Sequence, residues 1–136
     1  ARVYGTDVII STFFLDPYSP NVWRYWMGFN DYQFERAGDP FIGVKLGNLL
    51  TQVGFQRVET EVKTYHYDNR HPEKRRRIIE YWTDLLLSAE QQLTEAKFTT
   101  PEITAAMKKE LASIQKNPNA VFFYSYMQAS ATVMNL

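Results

Sequence analysis

The chain has 136 residues, of which 45% are hydrophobic, with no cysteine and a formal net charge of zero. That length and apolar content suit one globular domain with a core of its own and exclude a disordered chain. The missing cysteines exclude disulfides, thiolate nucleophiles and cysteine-based zinc sites, and the neutral balance leaves no long-range field favouring nucleic acid or an anionic membrane.

Residues 2–15 are rich in Val, Ile, Thr, Phe and Tyr and predict a buried strand with a break near Gly5. A domain seldom opens on a central apolar strand, so we expect an N-terminal portion to be missing. Asp16-Pro17-Tyr18-Ser19-Pro20 is a turn cluster. A helix over about 20–36 follows, with Ser19 or Asn21 as its cap and a wide surface of Val22, Trp23, Trp26, Met27, Phe29 and Phe34. Ala37-Gly38 closes it.

The next helix is predicted over about 40–53. Asp39 is its N-cap, Pro40 its first residue, and Gly54 the left-handed residue that ends it. Its apolar face is Ile42, Leu46, Leu49, Leu50 and Val53. The strand at about 55–67 alternates. Val58, Thr60, Val62, Thr64 and His66 read as its covered face, and Arg57, Glu59, Glu61, Lys63 and Tyr65 as its wet one, as near a sheet edge.

After the break at 68–72 a long helix is predicted over about 72–96, with Ile78, Ile79, Trp82, Leu85, Leu86, Ala89 and Leu93 as its stripe. Lys74, Arg75, Arg76 and Arg77 fan around its solvated start. Thr100 caps a further helix that begins at Pro101 and carries Ile103, Met107, Leu111 and Ile114 on one face. Asn117-Pro118-Asn119 ends it, and residues 120–134 predict a last strand. The order is β-α-α-β-α-α-β. The fold class is α/β, and residues 1–136 read as a single domain in which 72–116 is a helical lid or interface insertion between strands that pair as a hairpin.

The stretch Gly38-Asp39-Pro40-Phe41-Ile42-Gly43, with Leu46, Leu49-Leu50, Gly54-Phe55 and Val58, resembles the later half of class I, UbiE-like small-molecule S-adenosylmethionine-dependent methyltransferases. There it is the helix before strand six. Residues 2–7 then resemble strand five and residues 117–124 strand seven, which makes a partial Rossmann-like sheet. The family's cofactor motif has no counterpart: no Gly-rich turn follows a strand, and the six glycines are scattered. The resemblance therefore implies a substrate-binding half. S-adenosylmethionine would be held by a missing half or a protein partner supplying strands one to four, and a homodimer is the other expected assembly. The methyl acceptor would be a small organic molecule.

Phe13, Phe14, Tyr18, Trp23, Trp26, Phe29 and Tyr32 are the best pocket residues, because apolar walls with a few hydroxyl and indole N–H groups suit a flat acceptor. The alternative for them is plain core, or an interface. His66 is a weak catalytic base and otherwise a surface imidazole. No histidine spacing supports a metal site. Two other functions are compatible with the sequence: a non-catalytic interaction subunit, and a stand-alone small-molecule binder. A cytoplasmic location with no nucleic-acid or membrane partner is expected.

Overall fold

A computed structural model describes the backbone of residues 2–133 and the side chains of residues 13–133. Its elements are β1 (Arg2–Asp16), α1 (Pro20–Glu35), α2 (Ile42–Gln52), β2 (Gln56–Tyr67), α3 (Pro72–Leu87), α4 (Glu90–Glu95), α5 (Pro101–Lys116) and β3 (Val121–Thr132). The expected α/β class holds at this level. The strands form one antiparallel sheet in the order β1-β3-β2. The last strand therefore lies reversed between the first two, which run the same way. β2 and β3 are hydrogen-bonded neighbours, as expected of the strands flanking the helical segment. β1 continues through Gly5 without the expected break.

The chain forms two compact units. One holds the residues up to Phe13, Asp39–Tyr65 and the stretch from Phe123 onward; the other holds Phe14–Gly38 and His66–Phe122.

In the first unit, α2 starts two residues later than the sequence predicts. Asp39 Oδ1 accepts the Phe41 N–H at 2.9 Å, and its other oxygen takes the Lys45 ammonium at 2.7 Å. That bond holds Pro40 and Phe41 in a turn, so the helix begins only at Ile42. Lys45, with the Phe41 amide, keeps the Asp39 carboxyl below its ordinary range.

The end of α2 follows expectation. Gly54 has φ +96°. The Gly54 N–H reaches the Thr51 carbonyl and the Phe55 N–H the Leu50 carbonyl, each at 3.1 Å, which is the paired bonding of a Schellman motif. The predicted apolar face is rotated, however. Ile42, Gly43, Leu46, Gly47 and Leu50 form the covered arc, while Leu49 and Val53 are exposed. The two glycines explain this, since they let the helix approach most closely on their own side. A Cβ on Gly47 would meet Thr60 Cγ2 of β2 at 3.2 Å.

No residue of β2 is buried, which agrees with its place at the sheet edge. The expected faces hold at the start of the strand, where Val58 is half-covered and Arg57, Glu59 and Glu61 are exposed, and they reverse from Val62 onward. Val62, Thr64 and His66 are exposed, and Lys63, Tyr65 and Tyr67 are half-covered. The Tyr65 ring lies 5.2 Å from that of Tyr124 and 5.4 Å from that of Tyr126, so neighbouring aromatics on β3 shelter the side expected to be wet.

In the second unit, the predicted helix at 72–96 is two helices, α3 and α4, separated by Ser88 and Ala89. The Ser88 hydroxyl donates to the Leu85 carbonyl at 2.6 Å, and the Ala89 N–H reaches back only to Leu86, which tightens the ladder into a turn. α5 keeps its predicted start, where Thr100 Oγ1 accepts the Ile103 N–H at 3.1 Å. Its stripe of Met107, Leu111 and Ile114 is buried, and α5 is the main packing partner of α1.

α1 has no local side-chain cap, because the Ser19 hydroxyl donates to the Pro17 carbonyl. Its N-terminus is capped from α5 instead: the Glu110 carboxylate accepts the Asn21 N–H at 2.6 and 3.0 Å. α1 ends in a second Schellman motif, with Ala37 rather than a glycine in the left-handed position at φ 64°.

Candidate functional site

α1 carries most of the aromatic residues that suit a pocket, and its burial divides them. Val22, Tyr25 and Trp26 face inward. Trp26 stacks on Phe29 at 6.0 Å and packs against Trp82 at 4.9 Å. Trp82 in turn meets Phe122 edge-on at 5.7 Å. This chain of rings packs the interior of the second unit. Phe13 is also buried, in the first unit.

A second group faces solvent. Phe14, 56% exposed, and the half-buried Trp23 stack with rings 6.2 Å apart and tilted by only 11°. Together they offer a flat apolar platform at the start of α1. Arg24 follows directly and is tethered by its guanidinium to Asn21 Oδ1 at 3.3 Å. Tyr18 is 76% exposed on the turn before the helix.

A third group sits at the far end of α1. Tyr32 meets Phe98 edge-on, and the Arg36 guanidinium lies 5.1 Å from the centre of the Tyr32 ring. Five of the seven expected pocket residues are thus distributed over a core chain, an exposed stack and a helix-end contact, while Phe13 is buried in the first unit and Tyr18 stands exposed on the turn.

His66 is half-exposed, and its Nε2 lies 4.0 Å from Asp68 Oδ2, beyond hydrogen-bonding distance. Asp68 is engaged by Arg70, which donates to it from the guanidinium and from the backbone N–H. Those bonds hold the Asp68 carboxyl well below its ordinary range. Asp68 is therefore committed to Arg70.

Two features escape the sequence reading. Tyr25 is fully buried, and its hydroxyl donates to the Leu86 carbonyl at 2.5 Å. Burial, with the Glu90 charge, pushes that hydroxyl up to about 12. The other feature is an open groove of about 630 Å³ at the break between α3 and α4, lined by Ser88, Glu90, Gln91, Gln92, Thr94 and Glu95 among others. Its polar groups are largely engaged: Gln91 bonds Glu95, Thr94 bonds the Glu90 carbonyl, and Lys108 pairs with Glu90 at 3.8 Å. Ser88, a hydroxyl within an otherwise apolar helical run, is the signal that could have found the break.

Glycines offer no cofactor cradle. A Cβ on Gly28 would run into the Phe98 carbonyl, and one on Gly38 would meet the Gln33 carbonyl at 3.0 Å. These glycines, like Gly47, serve internal packing, and Gly54 ends a helix rather than opening one. The described residues therefore do not fit S-adenosylmethionine in the manner of a Gly-rich turn. Among them, no group of three or more histidine, aspartate or glutamate side chains is placed to hold a metal. No described helix is long and apolar enough to cross a membrane. No protein-family model matches the chain, and no curated protein does either.

Proposed function

We propose that this chain is the acceptor-binding half of a small-molecule methyltransferase that uses S-adenosylmethionine. The carrying observation is the strand order β1-β3-β2 with β3 reversed. On the resemblance, residues 2–7 of β1 read as strand five, the strand after Gly54 as strand six, and residues 117–124, which lead into β3, as strand seven. The segments that resemble strands six and seven are then adjacent in the sheet, in line with the hairpin expected of strands that flank the helical pair. The Schellman ending at Gly54 and the strand that follows Phe55 supply the local agreement.

On this reading the cofactor sits with residues beyond these 136, in a partner supplying strands one to four or in a longer chain, because Gly28, Gly38 and Gly47 are committed to packing and Gly54 ends a helix. This chain's part is to position the acceptor. Phe14 and Trp23 would stack one face of a flat organic molecule, and Arg24 at the rim would attract an acidic substituent.

Two measurements test the proposal. Calorimetric titration of the purified chain with S-adenosylmethionine should show no binding, whereas the complex with its cofactor half should bind it and methylate a flat acceptor. Trp23→Ala in that complex should raise the acceptor KM and leave the cofactor affinity unchanged. Binding of the cofactor by the chain alone would overturn the proposal, as would an acceptor KM indifferent to both Phe14→Ala and Trp23→Ala.

A further inference from the structure

We infer that the outer edge of β2 pairs antiparallel with the same edge of a second copy of this chain, in the register that sets Val62 opposite the partner's Val62. β2 is the last strand of the sheet among the described residues, so one row of its backbone N–H and carbonyl groups faces away from β3. None of its side chains is buried, and Val62, at the middle of the strand, is 54% exposed.

The side chains select the register. Glu61 and Lys63 share one face of the strand and already pair within the chain at 3.2 Å. With the twofold axis at Val62, Glu61 stands opposite the partner's Lys63, and Lys63 opposite the partner's Glu61. On the other face, Thr60 stands opposite the partner's Thr64, and the reverse. Each pair is made twice, as a twofold interface requires, and two β-branched pairs flank the central Val62 contact.

Neighbouring registers are worse. An axis at Glu61 sets that carboxylate against its own copy, and an axis at Thr60 sets Glu59 against the partner's Glu61. An axis at Val58 makes opposite charges meet but pairs only the start of the strand, where Arg57, at φ 51°, departs from extended geometry. The Val62 register uses the strand along almost its whole length and extends the three-stranded sheet to six strands. This edge is the opposite one from β1, so the pairing is independent of the methyltransferase proposal.

Sedimentation equilibrium of the full chain, with charge-swapped variants, tests the register. The wild type should form a concentration-dependent dimer. Glu61→Lys alone and Lys63→Glu alone each set like charges opposite one another twice and should raise the dimer Kd about tenfold. The double variant E61K/K63E restores both pairs and should return the Kd to near the wild-type value. Neither position is buried, Glu61 being exposed and Lys63 half-covered, and circular dichroism confirms folding in each variant. A wild type that stays monomeric up to its solubility limit overturns the inference. So does a dimer indifferent to the single swaps, or one that the double swap fails to restore.

Discussion

Arg75 is the residue whose replacement most directly probes how the second unit is held together. It lies within a run of four basic residues but is buried at 6% exposure, and its guanidinium donates to the carbonyls of Ala120 at 2.9 Å, Pro118 at 3.1 Å and Asn117 at 3.3 Å. These carbonyls belong to the end of α5 and the turn that leads into β3, where the helix dipole favours a cation. Arg75→Met keeps the aliphatic stem and removes the donors. The Pro118 and Asn117 carbonyls are partly open and recover water, but the Ala120 carbonyl is bonded in a buried setting. An unsatisfied buried acceptor costs about 1–3 kcal/mol, and losing the favourable cation at the helix end adds about 0.3–1. Removing a buried charge offsets part of this, so the expected loss is about 2 kcal/mol. For a chain of this size that lowers Tm by about 6–8 °C. Urea unfolding followed by circular dichroism should show a lower midpoint with an unchanged m-value. Arg77→Met, at an exposed position on the same turn, should stay within about 0.5 kcal/mol of wild type. If the two variants unfold at the same midpoint, the buried contacts of Arg75 are not what joins α3 to the end of α5.

Three further outcomes follow from the geometry. Trp26→Ala should cost about 3–5 kcal/mol in denaturant titrations, because the ring bridges Phe29 and Trp82 in the core, whereas Trp23→Ala should cost only about 1, the worth of its stack with Phe14. Tyr25 is held protonated in the folded state to about 12, so its contribution is fully present below pH 10 and is lost as pH rises from 10 through 12. Tyr25→Phe should lower stability at neutral pH by about 1 kcal/mol and flatten the alkaline fall measured by urea titration. The left-handed helix ends predict opposite signs: Gly54→Ala should destabilise by about 1 kcal/mol, with no clash involved, while Ala37→Gly should stabilise by about as much.

What the sequence makes legible is what its neighbours decide. Thr100-Pro101 and Gly54 act through bonds a few residues away, and the structure places both as predicted. The strands and their order along the chain were readable from composition for the same reason. What distant residues decide was not readable. Arg75 looked solvated because only the end of α5, more than forty residues on, makes it a buried donor. Tyr25 was passed over because α1 carries aromatics on several sides, so periodicity alone does not choose its inner face. The same ambiguity makes the aromatic set read as one pocket, whereas packing against Trp82 draws Trp26 into the interior, leaves Phe14 exposed, and leaves Trp23 and Phe29 half-buried. On α2 the error ran the other way. The apolar residues alone do not choose the face, whereas Gly47 lets its own side of the helix come close to Thr60 of β2.

The bond between Glu110 and Asn21 also fixes an order of events. α5 carries its own cap in Thr100 and can begin to form from local interactions, but the first turn of α1 waits for a carboxylate 89 residues further along the chain. During synthesis the leading amides of α1 leave the ribosome bonded to water, and the Glu110 cap becomes available to them only once α5 has emerged. A peptide of residues 16–38 should accordingly be mostly unstructured in water. In the folded protein, amide exchange at the head of α1 should follow the release of α5 rather than fraying of α1 itself.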